Sequence, residues 1–143
     1  MFVKQISVFL SNEKGSLSKV TKLLSAAGID LIAVSIADTE HYGILRCIVN
    51  DTDKGLSVLK ESGYTARVTE VLAVYLLDQP GGLATALSYL EAADISVGYL
   101  YSFVRSGGKY ALAIFQLDNI ERGHQVLTEN GVKLMDAEQI QKL

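Results

Sequence analysis

The sequence has little cysteine and proline, no tryptophan, and no long apolar run. Its 143 residues contain one proline and one cysteine, Cys47, which excludes an internal disulfide and a multi-cysteine metal site. We expect Cys47 to pack in a core, because Leu45 and Val49 flank it at strand spacing. No apolar run approaches the ~20 residues of a membrane-spanning helix, and the N-terminus lacks a basic stretch followed by a hydrophobic one. These absences predict a cytoplasmic protein without a membrane partner.

An excess of charge of one sign is also absent. The chain carries 13 Lys and Arg against 16 Asp and Glu, for a net charge of −3. A surface that follows nucleic-acid phosphates needs clustered basic residues, and here they are scattered, which argues against a nucleic-acid partner. Hydrophobic residues make up 49% of the chain, so disorder is excluded and large apolar faces must be covered.

The chain contains an internal repeat. Residues 8–31 align with 74–97, and residues 42–63 align with 110–131 after a two-residue insertion near Ser106-Gly107-Gly108. The identical pairs include Val8/Val74, Gly15/Gly81, Leu17/Leu83, Leu24/Leu90, Tyr42/Tyr110, Leu59/Leu127 and Gly63/Gly131. This period is too long for a solenoid unit, so each copy is expected to be a small domain, residues 1–70 and 71–143, that needs its twin or a second chain to complete its core.

Hydrophobic spacing gives each copy the order βαββαβ. Strands are predicted at 2–10, 29–37, 44–49 and about 65–69, with helices at 17–27 and from about 52 to before Gly63. The second copy repeats this order as strand 71–77, helix 82–93, strands 95–105 and 109–117, helix 119–130 and strand 132–135, and the tail 137–143 is expected to add a helical turn. The prediction is an α+β fold of two ferredoxin-like modules, each an antiparallel four-stranded sheet with both helices on one face.

The strand predicted at 95–105 is apolar on both faces. Alternation places Val97, Tyr99, Tyr101 and Phe103 on one side and Leu100 and Val104 on the other. Because an isolated module would leave one such face in water, we expect the twin module to cover or extend the sheet, joined side by side as eight strands.

The most specific local signal is the turn between the first strand and first helix of each copy. The two turns read Asn12-Glu13-Lys14-Gly15-Ser16-Leu17 and Asp78-Gln79-Pro80-Gly81-Gly82-Leu83. Unpaired N–H groups at a helix N-terminus attract a carboxylate, and Asn12 or Asp78 can accept from an ammonium group. The competing interpretation is a tight glycine turn with Asn or Asp as a cap.

With these turns inside a duplicated βαββαβ order, the chain resembles the ACT domain family, small ligand-binding modules attached to many enzymes of amino-acid metabolism. The second turn matches the Asp-x-Pro-Gly-x-Leu pattern of that family. The first has Asn12 for the aspartate and Lys14 for the proline, which leaves equal affinity of the two sites open.

The resemblance implies a non-catalytic regulatory protein that binds an amino acid, or a similar small effector, between two modules. The glycine turn of one module would face the start of the second strand of the other. The implied ligand-binding residues are Asn12, Lys14, Gly15, Ser16, Leu17, Asp30, Leu31, Ile32, Asp78, Pro80, Gly81, Gly82, Leu83, Ser96, Val97 and Gly98. No cofactor or metal is expected, and a homo-oligomer or a regulated protein is the expected partner.

Three alternatives compete with this interpretation. An RNA-binding module shares the element order, and residues 108–115 with Tyr99, Tyr101 and Tyr110 could stack bases, but a basic sheet face is missing. An enzyme is disfavoured because His41 and His124 lie in no catalytic motif. A pure protein-pairing module with no small ligand would have much the same sequence and stays open.

Overall fold

A computed structural model describes residues 2–104 and 109–143 of the chain. The chain divides into two compact units. The N-terminal unit consists of Lys4–Thr69 with Leu143, and the C-terminal unit consists of Glu70–Lys142 with Phe2 and Val3. The insertion near Ser106-Gly107-Gly108 and the last residue of the strand predicted at 95–105 lie outside the described residues.

The N-terminal unit has the predicted order of elements. It contains β1 (Val3–Ser11) from Lys4 onwards, α1 (Ser16–Ala26), β2 (Leu31–Asp38), β3 (Tyr42–Val49), α2 (Thr52–Glu61) and the first part of β4 (Thr65–Leu77). β3 lies between β2 and β1 and pairs antiparallel with both, and β1 is hydrogen-bonded to β4. The strand order β2-β3-β1-β4 is the one that right-handed β-α-β crossovers produce.

The C-terminal unit repeats this arrangement. The second part of β4 is followed by α3 (Gly82–Ala92), β5 (Val97–Val104), β6 (Tyr110–Leu117), α4 (Ile120–Glu129), β7 (Leu134–Met135) and α5 (Ala137–Gln141). The order of its strands is β5-β6-β4-β7. The α+β class with repeated βαββαβ units is thus confirmed, and the predicted helical turn of the tail is α5.

The prediction of eight separate strands is wrong, because β4 serves both copies. The strands expected at about 65–69 and at 71–77 form one strand of 13 residues, and the described residues contain seven strands. Its sequence, TARVTEVLAVYLL, contains neither glycine nor proline, so nothing interrupts the extended backbone between the copies.

Each unit buries one core beneath its two helices. In the N-terminal unit, Val8 of β1 packs in one cluster with Leu24 of α1 and Leu59 of α2. In the C-terminal unit, Val74, Leu90 and Leu127 occupy the repeated positions in a second cluster. Since each cluster contains residues of both helices, the two helices of a unit cover the same face of its sheet. This result agrees with the helical spacing in the sequence.

Helices α2 and α4 begin at equivalent side-chain caps. The carboxylate of Asp51 accepts a hydrogen bond from the Lys54 N–H at 3.1 Å, and the amide oxygen of Asn119 accepts one from the Arg122 N–H at 3.1 Å. Such caps satisfy donors that would otherwise lack partners at the helix start.

The central strands are also buried on the face away from the helices. Gln5, Ile48 and Ile114 alternate with core residues and are 0%, 1% and 0% exposed. The buried Gln5 amide donates to the Ser7 hydroxyl at 3.2 Å. The apolar side chains of Ile48 on β3 and Ile114 on β6 are therefore removed from water on this second face.

A bulge near the start of β5 changes which residues face the core. The register with β6 shifts between Val97 and Tyr99, so Val97 packs in the same core cluster as Leu100. The placement of Val97 on the Tyr99 side was wrong, because strict alternation fails where one strand gains a residue. β2 has the same shift between Leu31 and Ala33.

Cys47 provides a test of the N-terminal core. Burial raises the pKa of its thiol from 9.0 to about 12, because the thiolate is poorly solvated there. We expect no reaction with Ellman's reagent at pH 8 in the native protein and one thiol per chain in denaturing urea. Rapid stoichiometric labelling of the native protein would contradict the burial.

The same shift predicts a pH dependence of stability. Because the folded pKa lies above the unfolded one, the contribution of Cys47 is fully present below pH ~9 and is lost as the pH rises towards 12. Relative to the wild type, Cys47→Ala should show a flatter decline of unfolding free energy above pH ~9 in urea titrations. Identical declines would contradict this expectation.

Candidate functional site

In each copy the strand-to-helix turn passes through one glycine in the left-handed conformation. Gly15 has φ +88° and Gly81 has φ +89°, and α1 and α3 begin at the following residue. L side chains rarely adopt this backbone, which explains the glycine at both positions. Neither helix has a side-chain cap, so the helix starts retain the character of an anion-binding end.

The residue after each glycine differs between the copies for a structural reason. In the first turn, the hydroxyls of Ser16 and Ser11 are hydrogen-bonded at 2.7 Å. In the second turn, the carbonyl of Leu77 accepts a hydrogen bond from the Gln79 N–H at 2.9 Å, and a Cβ on Gly82 would overlap that carbonyl oxygen. The second turn is therefore tighter, and it requires glycine at two successive positions.

Asn12 connects the first turn to the β2–β3 hairpin of its own unit. Its side-chain amide donates to the carbonyl of Thr39 at 3.0 Å. At the repeated position, the backbone N–H of Asp78 donates to the carbonyl of Lys109 at 3.1 Å, and the Asp78 carboxylate makes no hydrogen bond to a described residue. The Asn12 donor is thus already used within the fold, whereas the Asp78 carboxylate is available.

Each turn borders a cavity inside its own unit. The N-terminal pocket has a volume of about 480 Å³, and the C-terminal pocket about 270 Å³. The N-terminal pocket is lined by Phe9, Leu10, Ser11, Glu13, Lys14, Gly15, Ser16, Lys19 and residues 62–65. The C-terminal pocket is lined by Tyr75, Leu76, Leu77, Gln79, Gly82, Thr85, Ala86, Tyr89, Tyr110 and residues 130–133.

The two pockets occupy the same position in the repeat. Both lie between the end of the first strand of the copy, the glycine turn, and the connection from the second helix to the last strand. That connection, residues 62–65 and 130–133, was not among the predicted site residues. Gly63 and Gly131, which repeat in the sequence and have φ +86° and +76°, were the signal that could have indicated it.

An aromatic pair with a nearby cation is repeated beside the pockets. The rings of Phe9 and Tyr42 lie edge to face with centroids 5.5 Å apart, and those of Tyr75 and Tyr110 do so at 6.0 Å. In the C-terminal unit, the ammonium of Lys133 lies 4.9 Å from the centroid of the Tyr75 ring. In the N-terminal unit, the guanidinium of Arg67 lies 5.9 Å from the Phe9 ring. Such contacts hold a positive charge in place at a partly exposed site.

The predicted site residues are only partly brought together. Lys14, Gly15 and Ser16 line the N-terminal pocket, and Gly82 lines the C-terminal one. The other predicted turn residues, Asn12, Leu17, Asp78, Pro80, Gly81 and Leu83, lie on the same two turns but outside the pocket walls.

The second-strand residues lie at the other end of their own sheet. Ser11 at the end of β1 pairs with the first residue of β3, Tyr42, whereas Leu31 pairs with its last residue, Val49. Asp30 and Ser96 are held there through their N–H groups, which donate to Asn50 at 2.8 Å and Asp118 at 3.0 Å. Asp30, Leu31, Ile32, Ser96, Val97 and Gly98 therefore meet neither turn within their own unit.

Other candidate chemistry is sparse among the residues that the structure describes. His41 is exposed beside Glu40 at 4.0 Å, and His124 on α4 lies edge to face with Phe2, with centroids 5.7 Å apart. Among residues 2–104 and 109–143, no group of three His, Cys, Asp or Glu side chains could hold a metal ion. Within the same ranges, every helix is too short or too polar to cross a bilayer.

The comparison with protein families decides the affiliation. The family described as an ACT domain pair matches residues 1–143. The chain belongs to the ACT domain pair family. The predicted resemblance is thus confirmed over the whole length of this ACT pair. No curated protein matches it in sequence.

Solved structures agree with this assignment. Protein BT0572 from Bacteroides thetaiotaomicron is 36% identical to the ACT pair and superposes on it with a TM-score of 0.93. The superposition covers 100% of the ACT pair and 98% of the BT0572 chain. The regulatory subunit of aspartate kinase from Thermus thermophilus is 13% identical, with a TM-score of 0.64, covering 90% of this chain and 93% of its own. The Thermus flavus subunit is 14% identical, with a TM-score of 0.65 and 90% coverage of both chains. At these identities the two subunits show a shared fold.

The hydrogen bond of Asn12 generates a prediction about its structural role. Asn12→Asp removes the donor to Thr39 and places a carboxylate oxygen against a carbonyl, so we expect the unfolding free energy to fall by about 0.5–1.5 kcal/mol in urea denaturation. The matched control is Asp78→Asn in the second copy, which should change it by less than about 0.5 kcal/mol. Equal effects of the two changes would contradict the structural role of Asn12.

Proposed function

We propose that this ACT pair is a non-catalytic sensor that binds a small effector, an amino acid in the first instance, and passes its occupancy to a protein partner. The observation that carries this proposal is the repeated left-handed glycine turn, which presents an uncapped helix start beside a cavity in both copies. Membership of the ACT family supports a regulatory role. Regulatory subunits among proteins of the same fold are consistent with it.

We further propose that an effector at either turn is enclosed by the second-strand start of the other module or of a second chain. A carboxylate at an exposed helix end gains only about 0.3–1 kcal/mol, whereas micromolar affinity requires about 8 kcal/mol. The ammonium group and side chain of an amino acid must therefore be contacted as well. Ser96, Val97 and Gly98 would face Gly15, and Asp30, Leu31 and Ile32 would face Gly81.

The exposed apolar residues of the edge strand β2 also support association with a second chain. Val34 and Ile36 on this strand are 52% and 48% exposed, and their cross-strand neighbours are the buried Cys47 and Leu45. Exposed apolar residues on an edge strand favour pairing with another chain. The same feature supports the alternative function, a pairing module that binds no small molecule.

A thermal-shift screen against the standard amino acids separates these functions. An effector at a hundredfold excess over its dissociation constant stabilises the folded chain by about 2.7 kcal/mol, which raises the melting midpoint by roughly 5–10 °C for a chain of this size. We expect such a shift for at least one amino acid. The absence of a shift with every amino acid would leave the pairing module as the better interpretation.

Gly81 tests whether the turn contacts the effector. Gly81→Val places a branched side chain at the turn and is expected to abolish binding at that site in calorimetry, because the ligand can no longer approach the backbone. The matched control is Gly28→Val, since Gly28 has a similar φ of +76° at the far end of α1 and costs comparable backbone strain without facing the turn. An unchanged binding isotherm for Gly81→Val would reject the assignment of the turn.

A further inference from the structure

The two pockets share a position in the repeat but differ in the chemistry of their walls. We propose that the C-terminal pocket binds a compact carboxylic acid with an apolar ring, while the N-terminal pocket is built for a more polar ligand. This inference rests on the function proposed above and specifies the ligand class of one of its two sites.

Substitutions between the copies separate the two walls. Ser11, Glu13 and Lys19 of the N-terminal pocket correspond to Leu77, Gln79 and Thr85 of the C-terminal pocket. Each replacement removes a charge or a hydroxyl or lowers polarity, and together they leave the second wall without a carboxylate. Both pockets lie between the same repeated elements, so these side chains account for the different chemistry of the two walls.

The C-terminal pocket has an aromatic wall suited to a ring. Tyr75, Tyr89 and Tyr110 line it, and Leu77 lies opposite Tyr110 across the β4–β6 ladder. Leu77 and Tyr110 are 42% and 41% exposed, which is a large exposure for two adjacent apolar side chains. A ring stacked against these tyrosines would remove that surface from water and gain edge-to-face or offset contacts.

Lys133 supplies one positive charge at the same pocket. Its ammonium is held 4.9 Å from the Tyr75 ring, and it forms no ion pair with any residue in the ranges 2–104 and 109–143. The first copy has the neutral Thr65 at this position, and the cation beside its aromatic pair is Arg67, 5.9 Å from the Phe9 ring. A lysine fixed above an aromatic wall that lacks acidic residues favours an anionic group on the ligand.

The pocket volume limits the size of the ligand. About 270 Å³ lies just below the ~300–1,000 Å³ typical of pockets for drug-sized molecules, so a single ring with a short acid chain fits better than a larger metabolite. The N-terminal pocket, at about 480 Å³ with Lys14, Lys19 and Glu13 in its wall, offers more space and more charge.

The test uses the full chain, with 3-phenylpropanoate as the probe and 3-phenylpropan-1-ol as its uncharged counterpart. Lys133→Thr, which introduces the residue of the first copy, is expected to weaken 3-phenylpropanoate binding about tenfold in calorimetry and to leave the alcohol unaffected. Leu77→Ser is expected to weaken both probes about tenfold. The matched control Lys19→Thr, in the N-terminal pocket, should change neither affinity.

Tyrosine side-chain NMR of the wild-type protein is the second measurement, and it requires no variant to fold. 3-Phenylpropanoate should shift the ring signals of Tyr75, Tyr89 and Tyr110 and spare those of Tyr42 and Tyr64. Shifts confined to Tyr42 and Tyr64, or an equal loss of affinity in Lys19→Thr, would overturn the assignment to the C-terminal pocket.

The outcomes separate this inference from the proposed function. Binding of a polar amino acid, together with no binding of 3-phenylpropanoate at millimolar concentration, would overturn the inference and leave the sensor function standing. The absence of binding by any amino acid and by both probes would overturn both.

Discussion

Each unit depends on one constraint of the backbone. The chain must reverse direction within a few residues, between the end of the first strand and the start of the first helix. The helix must begin at once for its apolar stripe to reach the core, and the reversal passes through φ +88° at Gly15 and φ +89° at Gly81. An L side chain there would cost about 1–2 kcal/mol. The same geometry leaves the helix start without a side-chain cap and sets it beside a cavity. Core packing and the candidate site thus have one structural origin.

Element types could be predicted because the spacing of apolar residues is clear in both copies, and the repeat allowed each assignment to be checked against its twin. The continuity of β4 was missed, although Thr69-Glu70-Val71 contains no turn residue, because the repeat placed a module boundary between residues 70 and 71. The side on which Val97 lies was missed for a different reason. A bulge shifts the alternation between Val97 and Tyr99, and Gly98 between them was the overlooked sign, because a glycine inside a strand often marks a bulge.

The candidate site was predictable on one wall. The glycine turns are local features, so a short sequence pattern predicts them. The opposite wall consists of residues 62–65 and 130–133, which lie near the turns only because of the order of the strands in the sheet. That wall follows from the adjacency of the first and last strands of a βαββαβ unit, which the predicted topology already contained. The role of Asn12 was less accessible. Its amide donates to Thr39 across a hairpin, and a sequence pattern cannot distinguish that hydrogen bond from one to a ligand.

Both copies keep the left-handed glycine of the turn, whereas the side chains around it differ. Gly15 and Gly81 superimpose in conformation, and the aromatic pair on the neighbouring strands recurs, so the frame of the pocket is held by requirements of the fold. The pocket walls are under no such requirement, since Ser11 and Leu77 are exposed and their exchange leaves the strand pairing intact. Because the backbone fixes the position of each pocket while the side chains of its wall can vary, two pockets of different chemistry can form in one chain. The same strand, β4, borders both pockets, with Thr65 at its start and Leu77 at its end.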